Sequence, residues 1–332
     1  MKTPRRKFLH LAAGAAALPA VSRIARAQAY PARPVRIIVP FAAGGPTDTI
    51  ARLFGQWLSE RLGQQCVIEN RPGAGGNIGT EAAVRAPPDG YTLLLVNSAN
   101  AINATLYDKL NYNFLRDITP VASLIRAPNV MAVHPSFPAK TVPEFIAYAK
   151  ANPGKISMAS GGVGTSQHVA GELFKMMAGI DMLHVPYRIG PTLYTDLLSG
   201  RVHVTFTAIP GSIEFIRTGR LRALAVTSEM RSEALADIPA IAEFLPGYEA
   251  SVSLGLGVPR GTRAEIVEKL NKEINVALND PKIKASLADL GGTPLPGTPT
   301  DFGKSIADET EKWAKVIKFA NIKPEWAPGR AP

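Results

Sequence analysis

Three glycine-rich turns hold most of the residues that could do chemistry: Ala42–Asp48, Arg71–Gly79 and Ala159–Gly171. In the last, ASGGVGTSQHVAG, Gly161, Gly162 and Gly164 let the backbone turn tightly and come close to a ligand. Thr165 and Ser166 follow with hydroxyls and backbone N–H groups where a helix would begin. A helix start carries unpaired donors and a partial positive charge, so it suits an anion. The stretch reads as a grip for a carboxylate. His168, in the first turn of that helix, either adds polarity or charge to the grip or orients the loop from behind. Asp48 either caps N–H groups at its own helix start or holds ordered water that bridges to a ligand. Tyr187 could cover the ligand, donate its hydroxyl, or simply pack at a lobe surface. Arg188 is a possible carboxylate clamp, but arginines that follow strands are usually solvated, and it stays outside the core set.

Enzymatic motifs fail residue by residue. Gly303-Lys304-Ser305 ends like a phosphate-binding loop, but position 298 is Thr and the segment reads as helix. Gly73-Ala74-Gly75-Gly76-Asn77-Ile78 lacks the last glycine of a dinucleotide fingerprint. A nucleophile elbow at Ser160 fails because position 158 is Met. The five histidines are scattered without H-E-x-x-H spacing or nearby cysteines, so no catalytic residue, metal or cofactor is expected. Cys66, the one cysteine, cannot form an intramolecular disulfide and reads as a buried strand thiol.

The elements that must position these turns follow a repeating pattern. Val35–Pro40, Cys66–Glu69 and Tyr91–Val96 read as buried strands, the first two leading through glycine turns into helices near Thr47–Leu62 and up to Ala86. Strand, turn and helix recur roughly every 30 residues, which is βαβ chemistry and a parallel sheet. After a less regular piece, Leu106–Pro120, strands are expected at Val121–Ile125 and Asn129–His134, and Thr141-Val142-Pro143-Glu144 reads as a capping box. The pattern restarts with strands at Ile156–Ser160, Met182–Val185, Val202–Thr207 and Arg222–Thr227, separated by helices. Ser253–Val258 is a further strand. Beyond it Ile266, Leu270, Ile274 and Leu278 mark a helix, and a last helix is expected from Pro299 to about Asn321. Two copies of one architecture imply two lobes.

The amino terminus is set apart from this fold. Lys2, Arg5, Arg6 and Lys7 precede a small-residue apolar stretch from Leu11 to Ala20, and Ala25-Arg26-Ala27 forms a cleavage pattern. Residues 1–27 therefore read as an export signal, with Arg5-Arg6-Lys7-Phe8-Leu9 like a twin-arginine motif, and the stretch is too short to span a bilayer. Removing its six basic residues from 37 leaves 31 against 27 acidic ones, so the net charge falls from +10 to +4. No Lys/Arg block remains, and nucleic acid is not expected as a partner.

Several segments together resemble the substrate-binding proteins of tripartite tricarboxylate transporters, the Bug-type family. They are Val39–Asp48 with Ala51-Arg52, Glu69–Gly76, Asp89–Leu94, Gly162-Val163-Gly164-Thr165 with His168, His184-Val185-Pro186-Tyr187, and Leu221–Thr227. The resemblance runs from about Tyr30 to Lys323. It implies an α/β, two-lobed periplasmic binding protein of the type II, Venus-flytrap kind, closing on a small carboxylate in the cleft between lobes. Lobe 1 would comprise 28–125 and 252–332, lobe 2 residues 126–251, with the carboxyl-terminal helices packed back on lobe 1 and two crossings forming a hinge. Carried over by motif, Phe41, Gly44, Gly45 and Asp48 line one wall, and Ser160, Gly164, Thr165, Ser166 and Tyr187 the other. Asn97 and Thr207 stand at strand ends where the family lines its cleft. Thr207 replaces an Asp common among relatives, which favours a ligand without an ammonium group, and Arg188-Ile189-Gly190 replaces a more glycine-rich turn. The implied protein is monomeric and periplasmic, has no enzymatic activity, and delivers its ligand to a membrane permease of the tripartite tricarboxylate type. The alternatives are a ligand-presenting sensor protein for a signalling receptor, and an α/β enzyme acting on a nucleotide or acyl substrate.

Overall fold

The computed structural model describes residues 30–187 and 190–324. The expected export signal and the Arg188 clamp lie outside the described residues. The first run of elements is β1 (Val35–Val39), α1 (Pro46–Leu62), β2 (Cys66–Asn70), α2 (Asn77–Val84), β3 (Thr92–Asn97), α3 (Ser98–Leu106), α4 (Phe114–Asp117) and β4 (Ile118–Ala127). The second is β5 (Asn129–Val133), α5 (Val142–Ala151), β6 (Ser157–Ser160), α6 (Ser166–Ala178), β7 (Leu183–Pro186), α7 (Gly190–Leu198), β8 (Val204–Ala208), α8 (Ile209–Arg217) and β9 (Arg222–Val226). The chain then returns as β10 (Val252–Pro259), α9 (Ala264–Asn279), α10 (Pro281–Asp289), β11 (Thr293–Pro294) and α11 (Pro299–Phe319).

Local chemistry explains most of the boundaries. Pro46 opens α1, where its missing N–H costs nothing, and Gly63 closes it in the left-handed region at φ 70°. Thr141 caps α5 by accepting from the Glu144 N–H, but the Glu144 carboxylate accepts from Lys140 N–H, so the expected box is displaced by one residue. The Ser98–Leu106 helix was not expected. Asn97 caps it through the Ala99 N–H, and the Asn100 side chain accepts the Asn97 N–H.

Two sheets result, ordered β11-β4-β10-β3-β1-β2 and β7-β6-β8-β5-β9. Three parallel strands in each, β2-β1-β3 and β7-β6-β8, match the βαβ expectation. Neither sheet is wholly parallel, however. β10 enters the first sheet antiparallel between β3 and β4, and β5 enters the second antiparallel between β8 and β9. Each antiparallel strand is the first one reached after the chain crosses between sheets, so it arrives from the opposite end. The two sheets thus repeat one layout, a duplication of architecture without visible sequence repeat.

The first sheet is buried by α1, α9 and α10 on one face, where Ile37, Phe54, Leu58, Leu93 and Leu270 are fully enclosed. Ile266, Ile274 and Leu278 share that core, as their four-residue recurrence implied. The carboxyl-terminal helices do more than cover this sheet. Trp313, Val316 and Ile317 of α11 share one core with Ala101, Ile102 and Leu106 of α3 and with Val169, Phe174 and Phe206 of the second sheet's layer. At the crossings, Asn129 N–H donates to Thr227 Oγ1 (2.8 Å), while Thr227 N–H donates to Asn129 O (2.9 Å) and Ala250 N–H to Thr227 O (2.9 Å).

Candidate functional site

Because the parallel strands point one way, the connections to α1, α3, α6, α7 and α8 all leave from strand carboxyl ends, where open α/β sheets bind ligands. The twelve expected site residues all fall in these connections, the strand ends that feed them or the first turns of the helices that follow, with Asp48, Ser160 and His168 buried behind the surface. They fall into separate groups, and no hydrogen bond among the described residues joins the first-sheet group to the second-sheet group.

In the β1–α1 turn, Gly44 is exposed, Gly45 and Phe41 are half-buried, and Asp48 is only 2% exposed. Asp48 is the turn's internal anchor. Its Oδ2 accepts from Gly44 N–H and Arg52 Nε (both 2.9 Å), and its Oδ1 accepts from Asn70 Nδ2 (2.9 Å). Asn70 also donates to Phe41 O (3.1 Å), which ties the turn to the end of β2. Burial would raise the Asp48 carboxyl, but the hydrogen bonds from Arg52, Gly44 and Asn70 outweigh it and hold it down to about 2. Asp48 therefore satisfies an N–H ahead of its helix rather than capping the first turn. Gly45, the N-cap, has no side chain to offer, and the N–H groups of Thr47 and Asp48 have no partner among the described residues. Asn97 spends its carbonyl oxygen on the α3 cap, leaving its half-buried amide Nδ2 unpaired among the described residues.

The β6–α6 loop is tied from within as well. Thr165 Oγ1 donates to Gly162 O (2.8 Å) and accepts from His168 N–H (3.3 Å). With that cap in place, Ser166 keeps its hydroxyl and N–H free among the described residues, as Gln167 keeps its N–H. Gln167 Oε1 takes the Gly161 N–H (2.6 Å). Gly164 is buried at φ 75°, and a Cβ there would lie 2.3 Å from Leu106 Cδ2, so only glycine fits where α3 meets this loop.

Ser160, expected at the ligand, faces inward instead, and His168 takes the second of its two expected places, behind the loop. Ser160 is fully buried, and its Oγ meets His184 Nε2 (2.6 Å), Gly162 O (3.1 Å) and Gly162 N (3.2 Å). His168, 4% exposed, accepts the Gly164 N–H at Nδ1 (3.1 Å), placing its ring behind the loop. Its ring stacks on His184 at 3.6 Å with planes 7° apart, and both line a 560 Å³ cavity with Val163 of the loop, Glu172, Lys175 and Lys323. Burial and the neighbouring His168 push His184 down to about 4.

Tyr187 and Thr207 have their hydroxyls engaged. Tyr187 donates to Asp196 Oδ2 (2.8 Å), and burial together with that bond pushes its phenol up to about 12. Thr207 Oγ1 meets Tyr194 Oη (2.8 Å), so a hydroxyl pair occupies the end of β8. Arg52, Asn70 and His184 entered the sequence reading only as parts of the segments that carry the resemblance, and Gln167, Tyr194 and Asp196 were not singled out. Arg52, one helical turn after Asp48, was the partner open to inference; the others meet their partners only through the fold.

Two α/β lobes with glycine turns and unpaired helix N–H groups at their strand ends define a solute-binding receptor fold. Residues 50–322 match the tripartite tricarboxylate transporter family receptor, and the chain belongs to that family. It is 37% identical over 300 residues to Protein BugT of Bordetella pertussis, covering 90% of this chain and 92% of that one. Among solved structures, R. palustris Rpa4515 with adipate is 37% identical with a TM-score of 0.78, covering 89% of this chain and 99% of that chain. MatC from Rhodopseudomonas palustris with bound malate is 31% identical with a TM-score of 0.74, covering 87% and 100%.

Proposed function

We propose that this chain is an exported, periplasmic, non-enzymatic receptor that captures a small dicarboxylate between residues 28–125 with 252–332 and residues 126–251. The observation that carries the reading is a pair of helix starts. α1 in the first lobe and α6 in the second each begin in a glycine turn with two unpaired N–H groups. Each suits one carboxylate, so a molecule with two would bridge the lobes and stabilise their closed state by its differential contacts. Phe41, Asn97, Ser166, Tyr187 and Thr207 would line the cleft, with Asp48, Ser160 and His168 shaping it from behind. The relatives holding adipate and malate agree with this ligand class. The Tyr194–Thr207 hydroxyl pair offers no negative charge to an ammonium group, which favours acids over amino acids.

Nothing in the site argues for turnover. Ser160 and His184 sit at nucleophile–base distance, but Ser160 has no exposed surface and its hydroxyl is already shared with Gly162. The ligand would pass, from a monomeric receptor, to a permease of the tripartite tricarboxylate type. A thermal-shift screen of the protein against adipate, malate, tricarboxylates and amino acids tests this. A ligand at about 100 times its Kd should stabilise the fold by about 2.7 kcal/mol. The shift should disappear in Gly164→Pro and shrink in Thr165→Ala. Stabilisation by amino acids in preference to their deaminated analogues would refute the assignment.

A further inference from the structure

The ligand loop is held from behind by two imidazoles that touch nothing in the cleft. His168 lies on α6 and His184 on β7, and their rings lie face to face at 3.6 Å. Each pins a different point of the same loop: His168 Nδ1 takes the Gly164 N–H, and His184 Nε2 meets Ser160 Oγ, which also bonds both the N–H and the carbonyl of Gly162. The loop from Ser160 to Gly164 thus rests on the pair at both ends.

The protonation state follows from these bonds. A backbone N–H can only donate, so Nδ1 of His168 carries a lone pair, and the ring hydrogen sits on Nε2 toward Glu172 Oε1 at 3.6 Å. A second proton on His168 must go to Nδ1 and would set two N–H groups against each other. We propose that His168 and His184 are positioning residues for ligand capture, a stacked pair that holds the Ser160–Gly164 loop in its binding shape only while the His168 ring is uncharged. Protonation of His168 at Nδ1 releases the Gly164 N–H and weakens capture on the acid side, whereas His184 Nε2 can donate to Ser160 Oγ in either state.

The charges around the pair are balanced, Glu172 and Asp181 against Lys175 and Lys323. On α6, Glu172 Oε2 is paired with Lys175 at 3.1 Å, and Lys175 also reaches Asp181, in the connection to β7, at 3.8 Å. Lys323, beyond α11, lines the same cavity. Glu172 is thus already committed to a cation, and two stacked imidazolium ions would face Lys175 as well. The depression of His184 by burial and by His168 points the same way.

The inference rests on the carboxylate-receptor reading, and its test separates the two. Adipate and malate binding would be measured by calorimetry from about pH 8 to about pH 4, with circular dichroism at each pH to follow folding. The wild type is compared with His168→Asn and His184→Gln, whose amides can keep the two hydrogen bonds without titrating. Taking the ratio of Kd values at each pH cancels the titration of the ligand itself. We expect wild-type affinity to fall about tenfold relative to His168→Asn on the acid side, the worth of about one hydrogen bond, and His184→Gln, which keeps His168, to fall with the wild type. His168→Ala should bind weakly at every pH, with His168→Asn recovering most of the loss. A wild-type to His168→Asn Kd ratio that stays flat across the range overturns the proposal. The Gly164 amide provides a readout free of ligand: its protection, the exchange rate divided into the intrinsic rate at the same pH, should fall on acidification in the wild type and hold in His168→Asn. If no dicarboxylate binds at any pH, the receptor reading fails, and the Gly164 amide alone decides the latch: protection that does not change with pH rejects it.

Discussion

At the scale of single residues, the site's strongest charge chemistry lies beneath its surface. Asp48 and His184 are both shifted downward, for different reasons and with different consequences. Asp48 is stabilised as an anion in the native state, so it binds its proton less readily when folded than when unfolded. Its contribution is fully present above its ordinary value of 3.8 and is lost as the pH falls through about 2. His184 resists protonation in the native state. Between its ordinary 6.5 and about 4 the unfolded chain takes up a proton that the folded one refuses, so stability falls with pH across that interval. Thermal melts against pH should therefore show two acid-side losses, the upper one flattened in His184→Gln and the lower one in Asp48→Asn. An unchanged upper slope in His184→Gln would remove His184 as its source.

At the scale of elements, the glycine turns bring helices closer to strands than side chains allow. Gly79 in α2 is the sharpest case. A Cβ there would lie 2.8 Å from Arg71 O and 2.8 Å from Pro40 Cα, both backbone atoms that no rotamer change can move. Gly79→Ala should cost about 1–3 kcal/mol by forcing α2 off the end of β1. Chemical denaturation checks this, and a loss under about 0.5 kcal/mol, the level of an ordinary surface change, would mean the helix shifts freely. What was legible in the sequence follows the same division. The β-branched runs, the glycine and proline boundaries and the four-residue recurrence of α9 are local signals, and the structure reproduces them. α3 was not legible because SANAINATL spreads asparagine and alanine around its circumference, and its cap uses Asn97 and Asn100 instead of the Ser/Thr–Glu pattern. The antiparallel entry of β10 was hidden because its partners β3 and β4 lie more than a hundred residues upstream. The residues of the loops were legible as a set, whereas the inward turn of Ser160 and His168 depended on His184, whose approach is a property of the fold.

At the scale of the whole molecule, α11 is what makes two lobes one cooperative body. Trp313 is 1% exposed and belongs to a core shared by α3 of the first lobe and α6, β6 and β8 of the second. The hydrogen bonds around Thr227 tie Asn129 to Ala250, both within residues 126–251, and do not join one lobe to the other. With α11 packed on both sides, unfolding either lobe strips apolar partners from the other. Calorimetry should therefore record one unfolding transition rather than two. Trp313→Ala should lower that single transition by about 3–5 kcal/mol, the usual cost of emptying a buried tryptophan site. If the lobes were energetically independent, the variant would instead split the trace, with one component held at the wild-type temperature. The same coupling bears on ligand capture. A dicarboxylate drawing α1 toward α6 would have to move the lobes while α11 stays seated on both, so closure would pivot along α11 and be weakened with it. Trp313→Ala should thus bind adipate less tightly, even at temperatures where it remains folded. Equal affinity in the two proteins would show that closure does not depend on this helix.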